Sequence, residues 1–140
     1  MDLVEKLANV LKKLGLKRGF VVSSDDGLDE VSISAPTLFA SIKEDGIDVN
    51  RFSPEDVGYN LADKEDVKGG NALDNANIIK DILQGKSGAM RDIACLNAGF
   101  AISACRKLTI HEGVKMAEQS IDSGNAYKKL ENLIEFTNSV

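Results

Sequence analysis

The sequence predicts an α/β protein: a partial mixed sheet, made of one core strand plus a hairpin, followed by a C-terminal helical cluster. Three observations predict it. The apolar run Phe20-Val21-Val22 ends in the acidic loop Asp25-Asp26-Gly27-Leu28-Asp29-Glu30, and α/β proteins keep ligands in the crevice at the carboxyl ends of their strands. Two apolar segments, 37–42 and 47–52, flank Glu44-Asp45-Gly46, and Asp-Gly between such runs is a strong hairpin signal. Beyond Phe52 the pattern is helical throughout.

The elements follow in order. Leu3, Leu7, Val10, Leu11 and Leu14 recur at helical spacing with Lys and Glu between them, and Gly15 stops the helix. Lys17-Arg18-Gly19 turns into a strand over 20–24. After the acidic loop, Val31-Ser32-Ile33 alternates as a strand does, and Pro36 breaks it before the hairpin. Ser53-Pro54-Glu55 reads as an N-cap, a proline at the first helical position and a first-turn acid. A polar connection over 62–71 carries Lys68-Gly69-Gly70. Ala72, Ala76, Ile79 and Leu83 then form one face of a helix ended by Gly85. The next helix, 92–106, is apolar nearly all round, which predicts a buried central element. Thr109 and Glu112 make a capping box for the last helical region. Gly124 interrupts that region before Leu130, Leu133 and Ile134 complete the core face. With no repeat, low-complexity tract or linker, residues 1–140 read as one unit.

Composition narrows the function classes. The chain has 140 residues, 43% hydrophobic and 28% charged, enough for one core. A net charge of −5 and a pI of about 4.9 argue against nucleic-acid partners and against attraction to anionic membranes. No apolar run approaches the roughly 20 residues of a membrane span, and Met1-Asp2 opens no signal peptide. Cys95 and Cys105 are ten positions apart on one helix, about 15 Å, beyond the roughly 7 Å a disulfide allows between Cα atoms. Free buried thiols and a cytoplasmic location are the expectation.

The acidic loop is the main candidate site. Adjacent strand residues face opposite sides of a sheet, so Asp29 and Glu30 converge only where a turn bends the chain, and Gly27 supplies one. Two convergent carboxylates suit magnesium, which is commonly held by one or two carboxylates, waters and a substrate's phosphates. A plain solvated turn is the alternative. Elsewhere the expectations are structural. His111 reads as a surface residue in a first helical turn rather than a general base, and Arg91-Asp92 as a local ion pair. Asn97 reads as a core amide bonded to neighbouring backbone, and Lys68 as a solvated cation. Tyr59 and Tyr127 suggest no chemistry, and no Cys/His spacing suggests zinc.

Several blocks, read together, resemble a known family. They are Leu14-Gly15-Leu16-Lys17-Arg18, Asp26-Gly27-Leu28-Asp29-Glu30, Ser53-Pro54-Glu55-Asp56, Lys68-Gly69-Gly70, Asn75-Ala76, Leu83-Gln84-Gly85, Arg91-Asp92, Leu96-Asn97-Ala98 and Ile121-Asp122-Ser123-Gly124. In order and spacing they are similar to the C-terminal portion of the anthranilate phosphoribosyltransferase family, over about residues 3–137. That family moves phosphoribosyl from phosphoribosyl pyrophosphate (PRPP) to the amine of anthranilate in tryptophan biosynthesis. The resemblance implies that Asp29 and Glu30 match the family's magnesium-binding acidic pair, the metal sitting on the pyrophosphate leaving group. Asp25 and Asp26 are weighed as additional charge behind that pair.

The resemblance also implies what this sequence lacks. The family's glycine-rich PRPP loop, its Asn-Ser-Thr cluster, its anthranilate-contacting Arg and Asn, and its helical dimerisation domain all lie upstream of the matched portion. Gly69-Gly70 follows no strand and is not a displaced phosphate loop. No catalytic or cofactor-binding residue besides the metal pair is therefore expected. PRPP and anthranilate are expected as ligands only together with an N-terminal half, and the chain alone is expected to be inactive. A lone strand ending in a ligand crevice also needs parallel neighbours, so the chain reads as part of a larger sheet, with self-association through an exposed edge. Two other readings stay open: a stand-alone interaction or regulatory module of the same fold, and a piece of a nucleoside phosphorylase-like enzyme. The adjacent Asp29-Glu30 pair favours the transferase over the phosphorylase.

Overall fold

The computed structural model describes residues 3–139. Helix α1 (Leu3–Lys13) leads to three strands, β1 (Gly19–Ser24), β2 (Thr37–Ile42) and β3 (Ile47–Phe52). Two short 3-10 turns, Pro54–Val57 and Lys64–Val67, precede α2 (Ala72–Leu83), α3 (Ala89–Arg106), α4 (Ile110–Asp122) and α5 (Asn125–Asn138). The expected hairpin is present: β2 and β3 pair antiparallel from Ile42↔Ile47 to Thr37↔Phe52, closed by Lys43 N–H donating to the Gly46 carbonyl at 2.9 Å. β1 also pairs antiparallel with β2, Val21 opposite Ala40 and Val22 opposite Phe39. The α/β class with a C-terminal helical cluster therefore stands, but the sheet is antiparallel among the described residues rather than mixed. Neither connection contains the crossover helix that a parallel pair needs.

Strand alternation gives the sheet two buried faces, and a third cluster, Cys95, Ala117 and Ile121, lies among the helices. Val21, Leu38, Ala40, Ile42 and Ile47 face α1, meeting Val4 and Ala8. Phe20, Val22, Phe39 and Phe52 face the opposite side and meet Leu96, Phe100 and Val114 from α3 and α4. Phe100 sits at the centre, with edge-on rings from Phe20, Phe39 and Phe52 at centroid distances of 5.0, 5.6 and 5.1 Å. The central-helix expectation for α3 holds on this face.

Four expectations are corrected. The α1 stripe does not form the core: Leu3 and Leu14 are 66% and 78% exposed, Leu7, Val10 and Leu11 are exposed as well, and Val4 and Ala8 bury instead. Val4 and Ala8 pack against Ala40 and Ile42 of the sheet, which leaves the leucines on the outer side of the helix. The apolar faces of α2 and α5 likewise bury no residue, and Leu133 and Ile134 are exposed. Val31-Ser32-Ile33 is not a strand but three consecutive buried loop residues. Cys95 is buried, whereas Cys105 is exposed because it lies on the α3 face turned away from the sheet, with Ala94, Ala98 and Ala101. No single helix among the described residues is long and apolar enough to cross a membrane, and α3 and α4, which together would be, are bent 116° to each other.

Candidate metal centre

Residues 25–36 connect β1 to β2, and the loop separates its four carboxylates into committed and uncommitted pairs. The chain turns at once: Gly27 N–H donates to the Ser24 carbonyl at 3.1 Å, with Gly27 at φ 87° in the left-handed region that glycine tolerates. Asp25 is forked by the Arg51 guanidinium, Nη1 on Oδ2 and Nη2 on Oδ1 at 3.1 Å. Asp26 points inward. Its Oδ1 accepts from Leu28 N–H at 3.2 Å and its Oδ2 from the Ser32 hydroxyl at 2.7 Å, while Lys64 Nζ donates to its backbone carbonyl at 2.9 Å. Burial raises its pKa, but hydrogen bonds involving Ser24, Ser32 and Leu28, with the Lys64 charge, more than offset that and hold it below the ordinary value.

Asp29 and Glu30 differ from both. They are exposed, and neither carboxylate enters a hydrogen bond or ion pair among the described residues. Asp29 lines a groove between α1 and β1 together with Leu7 and Val21. Of the two residues weighed as charge behind this pair, Asp25 is engaged by Arg51 and Asp26 is hydrogen-bonded within the loop.

The downstream half of the loop is held by side chains in place of a sheet ladder. Asn97 Oδ1 accepts from Val31 N–H and Asn97 Nδ2 donates to the Val31 carbonyl, both at 2.9 Å. Thr37 Oγ1 accepts from Ser32 N–H at 3.2 Å, and Ser32 Oγ from Ser34 N–H at 2.8 Å. The Ile33 carbonyl takes Ala62 N–H at 3.2 Å. Buried backbone must find partners, and these partners explain how 31–33 stays buried without a strand. Sequence reasoning found the Asn97 amide but not its target. The only signal was one amide in an apolar helix, which does not say which loop it meets.

The remaining candidates have structural surroundings. Arg91 pairs with Asp122 at 2.8 Å rather than with Asp92, and burial raises the Asp92 pKa. The Tyr59 hydroxyl donates to Glu118 Oε1 at 2.7 Å; burial first and that carboxylate second push its pKa well up. His111 is exposed in the first turn of α4, and Lys68 meets Glu65 at 3.1 Å.

Two adjacent uncommitted carboxylates are a hard oxygen donor set, which fits magnesium in the number such sites use. No cluster of three or more His, Cys, Asp or Glu side chains suited to a metal occurs among the described residues, so the rest of an octahedral shell would fall to water and phosphate oxygens.

Residues 1–127 match the family model described as glycosyl transferase family, a/b domain. The chain is 48% identical over 138 residues to the anthranilate phosphoribosyltransferase of Citrifermentans bemidjiense, covering 98% of this chain and 39% of that enzyme. The Geobacter sulfurreducens enzyme of the same name is 44% identical over the same extent. The chain thus spans about two-fifths of the length of the curated relatives it matches. The crystal structure of the Thermus thermophilus enzyme superimposes with a TM-score of 0.86 at 31% identity, over 95% of this chain and 39% of that one. The Saccharomyces cerevisiae enzyme in complex with PRPP and Mg gives 0.89 at 25% identity, over 99% and 40%. The resemblance read from the sequence blocks is borne out, and the chain belongs to the glycosyl transferase family defined by this a/b domain, where it is similar to the C-terminal part of anthranilate phosphoribosyltransferases.

Proposed function

We propose that this chain is the C-terminal portion of an enzyme that transfers phosphoribosyl from PRPP to anthranilate in tryptophan biosynthesis. In that reading it supplies the magnesium-binding pair Asp29 and Glu30 and has no turnover by itself. One observation carries it. Of the loop's four carboxylates only Asp29 and Glu30 are uncommitted, in a chain matched along 98% of its length to enzymes of that name. The yeast relative solved with PRPP and Mg supports the choice of ligand.

Each residue has a physical task. Magnesium, when bound, neutralises the negative charge that builds on pyrophosphate as its bond to the ribose breaks. Asp29 and Glu30 offer the carboxylates that hold it. Asp26 fixes the turn before them, and Asp25 is engaged by the Arg51 guanidinium. The sequence contains no glycine-rich phosphate loop after a strand. In this reading the groups that hold the ribose carbon against the amine belong to the upstream half, and such positioning supplies much of the rate of a two-substrate reaction.

The test is complementation, with the upstream half of an anthranilate phosphoribosyltransferase supplied in trans. Activity is expected only with both halves, and is expected to collapse in Asp29→Asn or Glu30→Gln. Robust turnover by this chain alone would overturn the claim of dependence. Activity of the two halves that survives both substitutions would overturn the metal assignment.

A further inference from the structure

We propose that Asn97 is a positioning residue for the Asp29–Glu30 pair: its side-chain amide, on α3, clamps both backbone groups of Val31 and so fixes the direction in which the two preceding carboxylates project. The inference rests on the metal reading of that pair.

The geometry is specific. Asn97 uses its acceptor on Val31 N–H and one donor on the Val31 carbonyl, each at 2.9 Å, and its second donor on the Ile93 carbonyl at 3.0 Å. The last bond ties the amide to its own helix, so its plane is set before it meets the loop. Val31 directly follows Glu30, is 1% exposed, and cannot shift without breaking the two-point contact. On the other side, Leu28 directly precedes Asp29, and its N–H is held by Asp26 Oδ1 while its carbonyl accepts from Ser24 N–H at 3.1 Å. Asp29 and Glu30 are therefore the two residues between fixed points.

Their own side chains contribute nothing to that fixation, and two adjacent anions repel. Without a clamp at Val31 the pair would splay. Outer residues that orient ligands in this way change metal affinity about 10–100-fold when removed. Asn97 is 66 positions from Val31 in sequence, yet it acts on both carboxylates through that one residue.

The experiment uses the full chain with Mn2+ as a paramagnetic probe, followed by broadening of backbone amide resonances, with a thermal melt of each variant. Wild type should show broadening centred on Asp29 and Glu30, and Asp29→Asn should abolish it. Asn97→Ala should weaken the Mn2+ titration about 10-fold, while Phe100→Leu, destabilised in the core, should leave the titration unchanged. Asn97→Asp keeps the acceptor, replaces the donors with a carboxylate facing the Val31 carbonyl, and should weaken it as well. If Asp29→Asn abolishes broadening but a folded Asn97→Ala binds like wild type, the positioning role is overturned and the metal reading stands. If Asp29→Asn has no effect, the metal reading fails and the positioning role falls with it. Should the Asn97 variants not fold, hydrogen exchange on wild type decides: a Val31 amide that exchanges freely while α3 amides are protected overturns the clamp.

Discussion

At the scale of residues, identical side chains three or four positions apart, Asp25 and Asp26 against Asp29, have opposite roles. Asp26 titrates with the fold. A carboxyl whose pKa is lower folded than unfolded adds stability above its ordinary range and loses it as pH falls through the folded value. Melting temperature should therefore drop more steeply below about pH 4 in wild type than in Asp26→Asn, which lacks the titrating group. Glu112 and Glu118, also held low by hydrogen bonds, keep part of the acid limb in the variant. Equal slopes would show that Asp26 does not organise the loop. Asp29→Asn and Glu30→Gln should leave stability within about 0.5 kcal/mol at neutral pH, since neither carboxylate has a partner to lose. A clear loss on denaturant melts would reveal a structural role. The cysteines divide in the same way: Cys105 should react with an alkylating reagent in the native state, and Cys95, whose thiol burial pushes up in pKa, should not.

This scale also shows what was legible. The candidate pair could be picked from the sequence because clustered carboxylates after an apolar run are a local signal. The division between Asp25-Asp26 and Asp29-Glu30 was not, because Arg51 on β3 and Asn97 on α3 reach the loop only through the fold. The Val31–Ile33 triplet misled for a related reason. Alternation suggests a strand, but its backbone bonds go to distant side chains that no local pattern reveals.

At the scale of elements, α3 organises the helical half. Hairpin, capping box and central helix were all readable because their signals are local: Asp-Gly, Thr-x-x-Glu, an apolar run. Thr109 indeed accepts from Glu112 N–H at 3.2 Å, and Glu112 from Thr109 N–H at 2.8 Å. The faces of α1, α2 and α5 were misjudged because an apolar stripe states that a face avoids water, not what covers it. Two predictions test the α3 packing. Phe100→Ala removes the ring at the centre of three edge-on contacts and should cost about 3–5 kcal/mol; a loss under about 1 kcal/mol in equilibrium denaturation would refute its central place. Gly99 and Gly113 set how closely α3 and α4 approach. A Cβ on Gly99 would lie 2.5 Å from Val114 Cγ2 and 2.7 Å from Val114 N, and one on Gly113 would lie 2.2 Å from the Gly99 carbonyl oxygen. Backbone cannot yield as a side-chain tip does, so Gly113→Ala should cost about 1–3 kcal/mol as overpacking. Helix propensity alone would instead make that change favourable, so the sign of the measured shift decides between them.

At the scale of the whole molecule, apolar surface and charge pull in opposite directions. Leu3, Leu7, Val10 and Leu11, with Leu14 just beyond the helix, leave α1 with an apolar outer face, and Leu133, Ile134 and Phe136 do the same for α5. β1 has only one strand neighbour among the described residues, and a free edge beside an apolar face is a template for association. Each leucine taken fully out of water contributes about 1.5–3 kcal/mol, so a contact must cover several of these side chains at once to outweigh an association cost of about 4 kcal/mol or more. Against this, every copy carries a net charge of −5, and like-charged copies repel over about 10 Å at 0.1 M salt. The chain should therefore self-associate with rising concentration, and added sodium chloride should strengthen that association by screening the repulsion. Ion pairing between copies would give the opposite salt dependence. Leu7→Lys on α1 with Leu14→Lys just after it, both exposed, should weaken the association at least about tenfold, since about 1.4 kcal/mol is enough for that. The folded core should survive, because Val4 and Ala8 hold the helix to the sheet. Light scattering across concentration and salt reads all of this, and a strict monomer at the highest concentration would show that these faces do not drive contact between copies.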